Sequence, residues 1–256
     1  MDERQIEAAV GEFAAARERG EFFPRAWSGR LALEDAYRIQ LALLNRRSGA
    51  GAHRLGWKVG LTAVAIQQQF GVHEPVFGCL LAEGLRRSGD SFCYADLIAP
   101  GFENELCIVL GRDLPADATA NDVAAAVERV HPAFEIVETR GDFTRELALA
   151  LADNAQQRSF VLGEPVVAAR LPDLAAVRVR VAINGAEVAA ATGDAVLGHP
   201  YNAVAWLAAK LAQFGEAVRA GDYVMSGSFT RQFALSRGDR IAADFAGIGA
   251  VTASFA

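Results

Sequence analysis

The chain has 256 residues, 52% hydrophobic and 22% charged, with a net charge of −6 and a mean hydropathy of +0.16. This supplies ample apolar material for a core and excludes a disordered chain, and with no basic cluster denser than a pair such as Arg86–Arg87 it argues against nucleic acid as a partner. No apolar run approaches the roughly 20 residues that span a bilayer, the polar start MDERQIEAAV is unlike a secretion signal, and three irregularly spaced cysteines, Cys79, Cys93 and Cys107, point to reduced thiols, so a cytoplasmic protein with no membrane partner is expected.

In chain order, residues 3–20 carry Ile6, Val10, Phe13 and Ala14 at helical spacing and stop at Arg19-Gly20, which predicts a helix. Residues 21–30 read as a loop and 33–49 as a second helix burying Tyr37, Ile39, Leu41 and Leu44. After Gly51 the pattern changes to short, glycine-punctuated apolar pieces. Residues 53–61 read as a strand, 62–71 as a short helix capped by Thr62, and 74–81 as another short apolar piece. Strands are expected over 102–111 and 131–140, separated by a helix over 121–130 that Asn121 would cap. Further strands fall over 158–166 and 222–229, with a hairpin over 177–193 turning at Asn184-Gly185, a pair suited to a type I′ turn. Residues 201–217 form an amphipathic helix, and 238–255 two strands around a glycine-rich turn. Helices at the start and singly among many short strands make an α+β pattern rather than repeated βαβ units. One domain over 1–256 is expected, with a helical portion to about residue 50 and a β-rich portion from about 51.

Two carboxylates interrupt the apolar strand FENELCIVLG. Residues i and i+2 of a strand share a face, so Glu103 and Glu105 stand side by side. Burying two like charges is costly unless something neutralises them. A divalent cation between them, a shared proton, or a solvated strand end would each serve. HPAFEIVETR adds Glu135 and Glu138 in similar apolar surroundings, and a third carboxylate would complete an all-oxygen site for a hard cation such as Mg²⁺, Ca²⁺ or Mn²⁺. Glu135 lies deeper in the run; Glu138 would face the other way and pair with Arg140. In GWKVGLT, Lys58 is either a lysine reaching out from a strand edge or one held near a metal site to move a proton. MSGSFTR, with Ser226, Gly227 and Ser228, fits an anion cradle or a tight bend. Gln156, Gln157 and Arg158 fit a substrate carboxylate or a polar loop. His53, His73, His131 and His199 form no metal-binding spacing, and no P-loop, GxSxG or GxGxxG pattern is present.

Taken in order, LALEDAYRIQ, GWKVGLTAVAIQQQFGVHEPVFGCLL, FENELCIVLGRDL, PAFEIVETR, LADNAQQRSFVLG, LGHPYNAVAWLAAKLA and DYVMSGSFTR resemble the 2-keto-4-pentenoate hydratase and 4-oxalocrotonate decarboxylase family of the fumarylacetoacetate-hydrolase-like superfamily. The resemblance runs from about residue 30 to the end. It implies a mixed β-roll or sandwich with flanking helices, assembled as a homo-oligomer. It implies Mg²⁺ or Mn²⁺ held by Glu103, Glu105 and Glu135, proton transfer by Lys58, and substrate contacts from Leu61, Gln157, Ser226, Gly227 and Ser228. The implied activity is a metal-dependent lyase on a small 2-keto acid or its dienol, through a metal-stabilised enolate. A hydratase adding water to a 2-hydroxy-2,4-dienoate comes first. Alternatives are a 2-keto acid decarboxylase, a carbon–carbon hydrolase, or a non-catalytic keto-acid-binding subunit. Two departures stand out: Pro75-Val76-Phe77-Gly78, where many hydratases of the family carry Asp in place of Val76, and Gln156-Gln157-Arg158, where small residues are usual.

Overall fold

The structure is a computed structural model that describes residues 1–69 and 71–256. The opening helices are α1 (Glu3–Glu18) and α2 (Leu33–Gly49). Asp2 and Gln5 close a capping box on α1, which satisfies two otherwise unpaired backbone donors. Next come β1 (Arg54–Gly60), α3 (Val64–Gln69), β2 (Val76–Leu81), β3 (Leu85–Arg87), β4 (Ser91–Phe92) and β5 (Pro100–Leu110). They are followed by α4 (Ala120–Ala126), β6 (Val127–Glu138), α5 (Leu147–Ala152), β7 (Gln157–Leu162), β8 (Val166–Val167), β9 (Arg178–Ile183) and β10 (Ala186–Thr192). The chain closes with α6 (Pro200–Ala212), β11 (Tyr223–Met225), β12 (Phe233–Ala234), β13 (Arg240–Phe245) and β14 (Gly249–Phe255).

The strands form two sheets. One runs β2-β1-β11-β5-β6-β7-β3, with β12 beside β5 and β8 beside β6, and curls into a half-barrel; the other runs β10-β9-β13-β14-β4. The expected α+β roll is therefore present. Asn184 and Gly185 turn the β9–β10 hairpin with φ of 53° and 84°, as a type I′ turn requires.

The two faces of the curled sheet differ, and strand periodicity decides which residue goes where. On β5, Phe102, Leu106, Ile108 and Leu110 join the main core with Ile6 and Phe13 of α1 and Tyr37 and Ile39 of α2. Each large side chain fully buried there contributes roughly 1.5–3 kcal/mol. The opposite face carries a small apolar floor of Leu80, Cys107, Ala133, Phe160 and Met225. Glu103 and Glu105 share that face with Cys107, and Glu135 shares it with Ala133.

Three boundary expectations are corrected. Thr119, not Asn121, caps α4, accepting from the Asp122 amide, and the helix ends at Ala126 because Val127 and Val130 pair with β5 instead. The helix expected over 62–71 begins at Val64, which leaves Thr62 free to pack against Gly227; Phe70 of that stretch lies outside the described residues. Helix α6 stops at Ala212 rather than 217, and His199 caps it with Pro200 in its first turn. Among the described residues, no helix is long and apolar enough to cross a membrane.

Candidate metal and substrate site

β5 and β6 are antiparallel, with Glu103 directly opposite Glu135 and Glu105 opposite Ala133. One oxygen from each of Glu103, Glu105 and Glu135 lies within 4.8 Å of the others. Glu105 and Glu135 are fully buried, and Glu103 is partly exposed. Glu138 does not join them: it pairs at 3.0 Å with Arg140, which also bonds Asp153.

Lys58 lies on β1, across β11 from the acidic strand, and reaches diagonally to place Nζ 3.4 Å from Glu135 Oε1. One ammonium therefore faces three carboxylates. Burial raises all three carboxyls above their usual range, and the Glu135 charge adds to the effect on the other two while Lys58 opposes it. Glu103 is pushed up to about 7. Burial would lower the Lys58 ammonium, but Glu135, Glu103 and Glu105 outweigh it and hold it above its usual value.

The polar bookkeeping of the cluster is incomplete in a specific way. Glu105 Oε2 accepts from the Gly227 amide at 2.8 Å, but among the described residues Glu105 Oε1 has no hydrogen-bond partner, and Glu135 has only the ion pair. Buried carboxylate oxygens without donors are expensive. An all-oxygen set of this size is within reach of one hard cation, whose ligands stand about 2.0–2.6 Å away.

A cavity of about 550 Å³ opens above this cluster, lined by Lys58 and Glu103 at its base. Leu61, Thr62, Val76, Val137, Thr139, Gln156, Ser228, Thr230 and Arg231 also line it. Of the substrate contacts that the family resemblance implies, Leu61 and Ser228 line this cavity. Gly227 faces Glu105 instead, with its φ of 111° and its bare Cα against Thr62, where a Cβ would come within 2.5 Å. Ser226 is buried beside it, with its hydroxyl unpartnered among the described residues. Gln157 is also buried, its Nε2 unpartnered among the described residues, and is not among the lining residues; Gln156 takes that place.

Asn104, between the two glutamates, escaped attention in the sequence. On the opposite face of β5, it holds the 226–232 loop in place. Its Nδ2 donates to Thr230 Oγ1, and its carbonyl accepts from the Phe229 amide at 3.0 Å. An asparagine buried in an apolar strand was the available signal.

The raised carboxyls have a consequence for stability. A glutamate whose folded pKa exceeds its unfolded value of 4.5 binds more protons folded than unfolded, so stability falls as pH rises through that interval. In protein stripped of divalent cations, the melting temperature is expected to drop by several degrees between pH 5 and pH 8. The Lys58 shift acts above pH 10.5 and does not enter this window. A melting temperature that climbs steadily over the same range would contradict the carboxylate assignment.

Comparison with known proteins gives the chain its relatives. Residues 63–256 match the fumarylacetoacetate (FAA) hydrolase C-terminal family. The chain is 38% identical to the TodF product hydratase of Pseudomonas putida over 232 residues, 89% of this chain and 86% of that one. It is 37% identical to the 2-keto-4-pentenoate hydratase of Paraburkholderia xenovorans, over 87% and 84% of the two chains. Among solved structures, the 4-oxalocrotonate decarboxylase of Pseudomonas putida G7, complexed with magnesium and adipate, superposes with a TM-score of 0.93 at 30% identity over 100% and 99% of the chains. With its carboxylate cluster on the inner face of a curled sheet and these relatives along most of its length, the chain belongs to the fumarylacetoacetate hydrolase C-terminal family.

Proposed function

We propose that this protein is a divalent-metal-dependent lyase of the 2-keto-4-pentenoate hydratase type, adding water to a 2-hydroxy-2,4-dienoate to give a 4-hydroxy-2-oxo acid. The observation that carries the reading is the buried Glu103–Glu105–Glu135 cluster beside Lys58 at the base of a cavity. The oxygens without donors on Glu105 and Glu135 fit a hard cation, Mg²⁺ or Mn²⁺, held by the three glutamates. When bound, such a cation draws negative charge toward the carboxylate and 2-oxo end of a keto acid.

The chain's own residues would do the rest. Lys58, facing the cavity, holds a proton and delivers it to or takes it from the substrate carbon skeleton as the dienol becomes the ketone. Leu61, Val76 and Val137 give the unsaturated tail an apolar wall, and Ser228, Thr230 and Thr139 offer hydroxyls for the oxygens.

A second reading, 2-keto acid decarboxylation, is favoured by one observation. Val76 stands in the cavity wall, with its Cγ2 and Lys58 Nζ both 3.4 Å from where a Cβ on Gly60 would sit. An aspartate there, as in many hydratases, would add a charge beside the lysine; valine adds none. Incubation with 2-hydroxypenta-2,4-dienoate and, separately, with 4-oxalocrotonate, following ultraviolet absorbance and CO₂ release, distinguishes the two. The expected result is loss of the dienoate absorbance without CO₂. Release of CO₂ from 4-oxalocrotonate with no turnover of the dienoate would establish the second reading instead.

A further inference from the structure

We propose that Asn154 is a positioning residue for Lys58, acting across the bare Cα of Gly78. Lys58 and Gly78 are opposite one another in the β1–β2 pairing. A Cβ on Gly78 would lie 3.2 Å from Lys58 Cε, and 3.2 Å from both the carbonyl and the side-chain oxygen of Asn154. The lysine stem and Asn154 therefore rest against the same Cα. Gly60 continues the track, since a Cβ there would stand 3.4 Å from Lys58 Nζ. The two glycines leave room along the face where the lysine lies, and Asn154 packs at Gly78.

Asn154 is itself held firmly. Its Oδ1 accepts from the Cys79 amide at 2.7 Å and its Nδ2 donates to the Cys79 carbonyl at 3.0 Å, so one side chain pairs with β2 as a neighbouring strand would. Asn154, Ala155 and Gln156 have φ of 58°, 48° and 60°, three successive non-glycine residues in the left-handed region. That region is unfavourable for residues with a Cβ, and a run of three persists only where the surroundings enforce it. The buried Arg140 supplies part of the enforcement. Its Nη2 donates to the Asp153 carbonyl at 2.8 Å, and its Nη1 to the Gln156 and Gln157 carbonyls at 3.3 and 3.4 Å. Glu138 and Asp153 balance its charge. Beyond Asn154, the turn presents Ala155 and Gln156 to the cavity. Strain is concentrated beside the one ammonium of the site.

The inference rests on the reading of Lys58 as the proton-transfer group, and its test separates the two. The chain has two lysines, Lys58 and Lys210. Protein labelled with ¹³C at lysine Cε therefore gives two signals, assigned with a Lys210→Arg variant. Asn154→Gly keeps a residue that tolerates the left-handed backbone and removes the tether. It is expected to shift the Lys58 signal, leave that of Lys210 in place, and lower kcat about tenfold with Mn²⁺ affinity within twofold of the parent. Asn154→Asp, which keeps the acceptor for the Cys79 amide, should recover at least half of the lost kcat. An unmoved Lys58 signal would overturn the proposal, as would a loss of kcat that merely tracks lost metal affinity. If Asn154→Gly does not fold, Gly78→Ala decides: its methyl must displace Lys58 or Asn154, so a folded variant with the parental Lys58 signal also overturns it. Should the parent protein turn over neither substrate, the proposed function fails while the Lys58 signal still decides this inference.

Discussion

Glu105→Gln is expected to lower turnover by at least about a thousandfold, equivalent to about 4 kcal/mol of barrier, while the protein stays folded. The substitution is nearly isosteric, and its amide can still accept from the Gly227 N–H that now bonds Oε2 at 2.8 Å. What disappears is one of three negative charges in a buried cluster. The chelated variant should melt at or above the temperature of the chelated parent, because burial already holds this carboxyl well above its ordinary range and a neutral group relieves the repulsion from Glu135 and Glu103. Calorimetry of both proteins in EDTA, beside an activity assay with saturating Mg²⁺, measures the two effects together. A variant of undiminished activity would remove Glu105 from the site, and one that unfolds would make its role structural.

Lys58→Met should behave differently. The side chain stays unbranched and apolar, one atom shorter than lysine, so it can lie along the same track between Gly60 and Gly78. Loss of the ammonium removes the group proposed to transfer the proton, a contribution of about 10²–10⁴-fold in rate. It also removes the positive charge 3.4 Å from Glu135. Without that charge a cation becomes the remaining neutralising partner for the carboxylates, so Mn²⁺ affinity should hold or rise while kcat collapses. A variant with full turnover would take Lys58 out of the chemistry. One that loses Mn²⁺ binding along with activity would show that the lysine supports the cluster rather than the reaction.

The contrast between these variants follows from features that were unequally legible in the sequence. Strand periodicity alone placed Glu103 beside Glu105, and it separates Glu135 from Glu138 because three positions apart means opposite faces. Burial was legible in part, from the apolar residues around each carboxylate. The partner across the sheet was not: Lys58 lies 45 residues before Glu103, and only the order β1-β11-β5-β6, set by long-range pairing, brings it to Glu135. The start of β6 is hard to read because NDVAAAVERV suits a helix locally, whereas pairing with β5 draws Val127–Val130 into the strand. Gln156 and Asn154 were hardest to read. Their roles depend on a left-handed turn that continues without glycine through Ala155 and Gln156, which residue preference does not announce and which Arg140 helps to impose from outside the segment.

Three glutamates on two adjacent strands are proposed to form one cation site. Titrating EDTA-treated, dialysed protein with Mn²⁺ by isothermal calorimetry at pH 8 tests it most directly, because above the raised value of about 7 for Glu103 the site is free of that competing proton. One equivalent of Mn²⁺ is expected to bind to the parent protein, more weakly at pH 6, and not measurably to Glu105→Gln or Glu135→Gln. Equal binding by the parent and both variants would contradict the account.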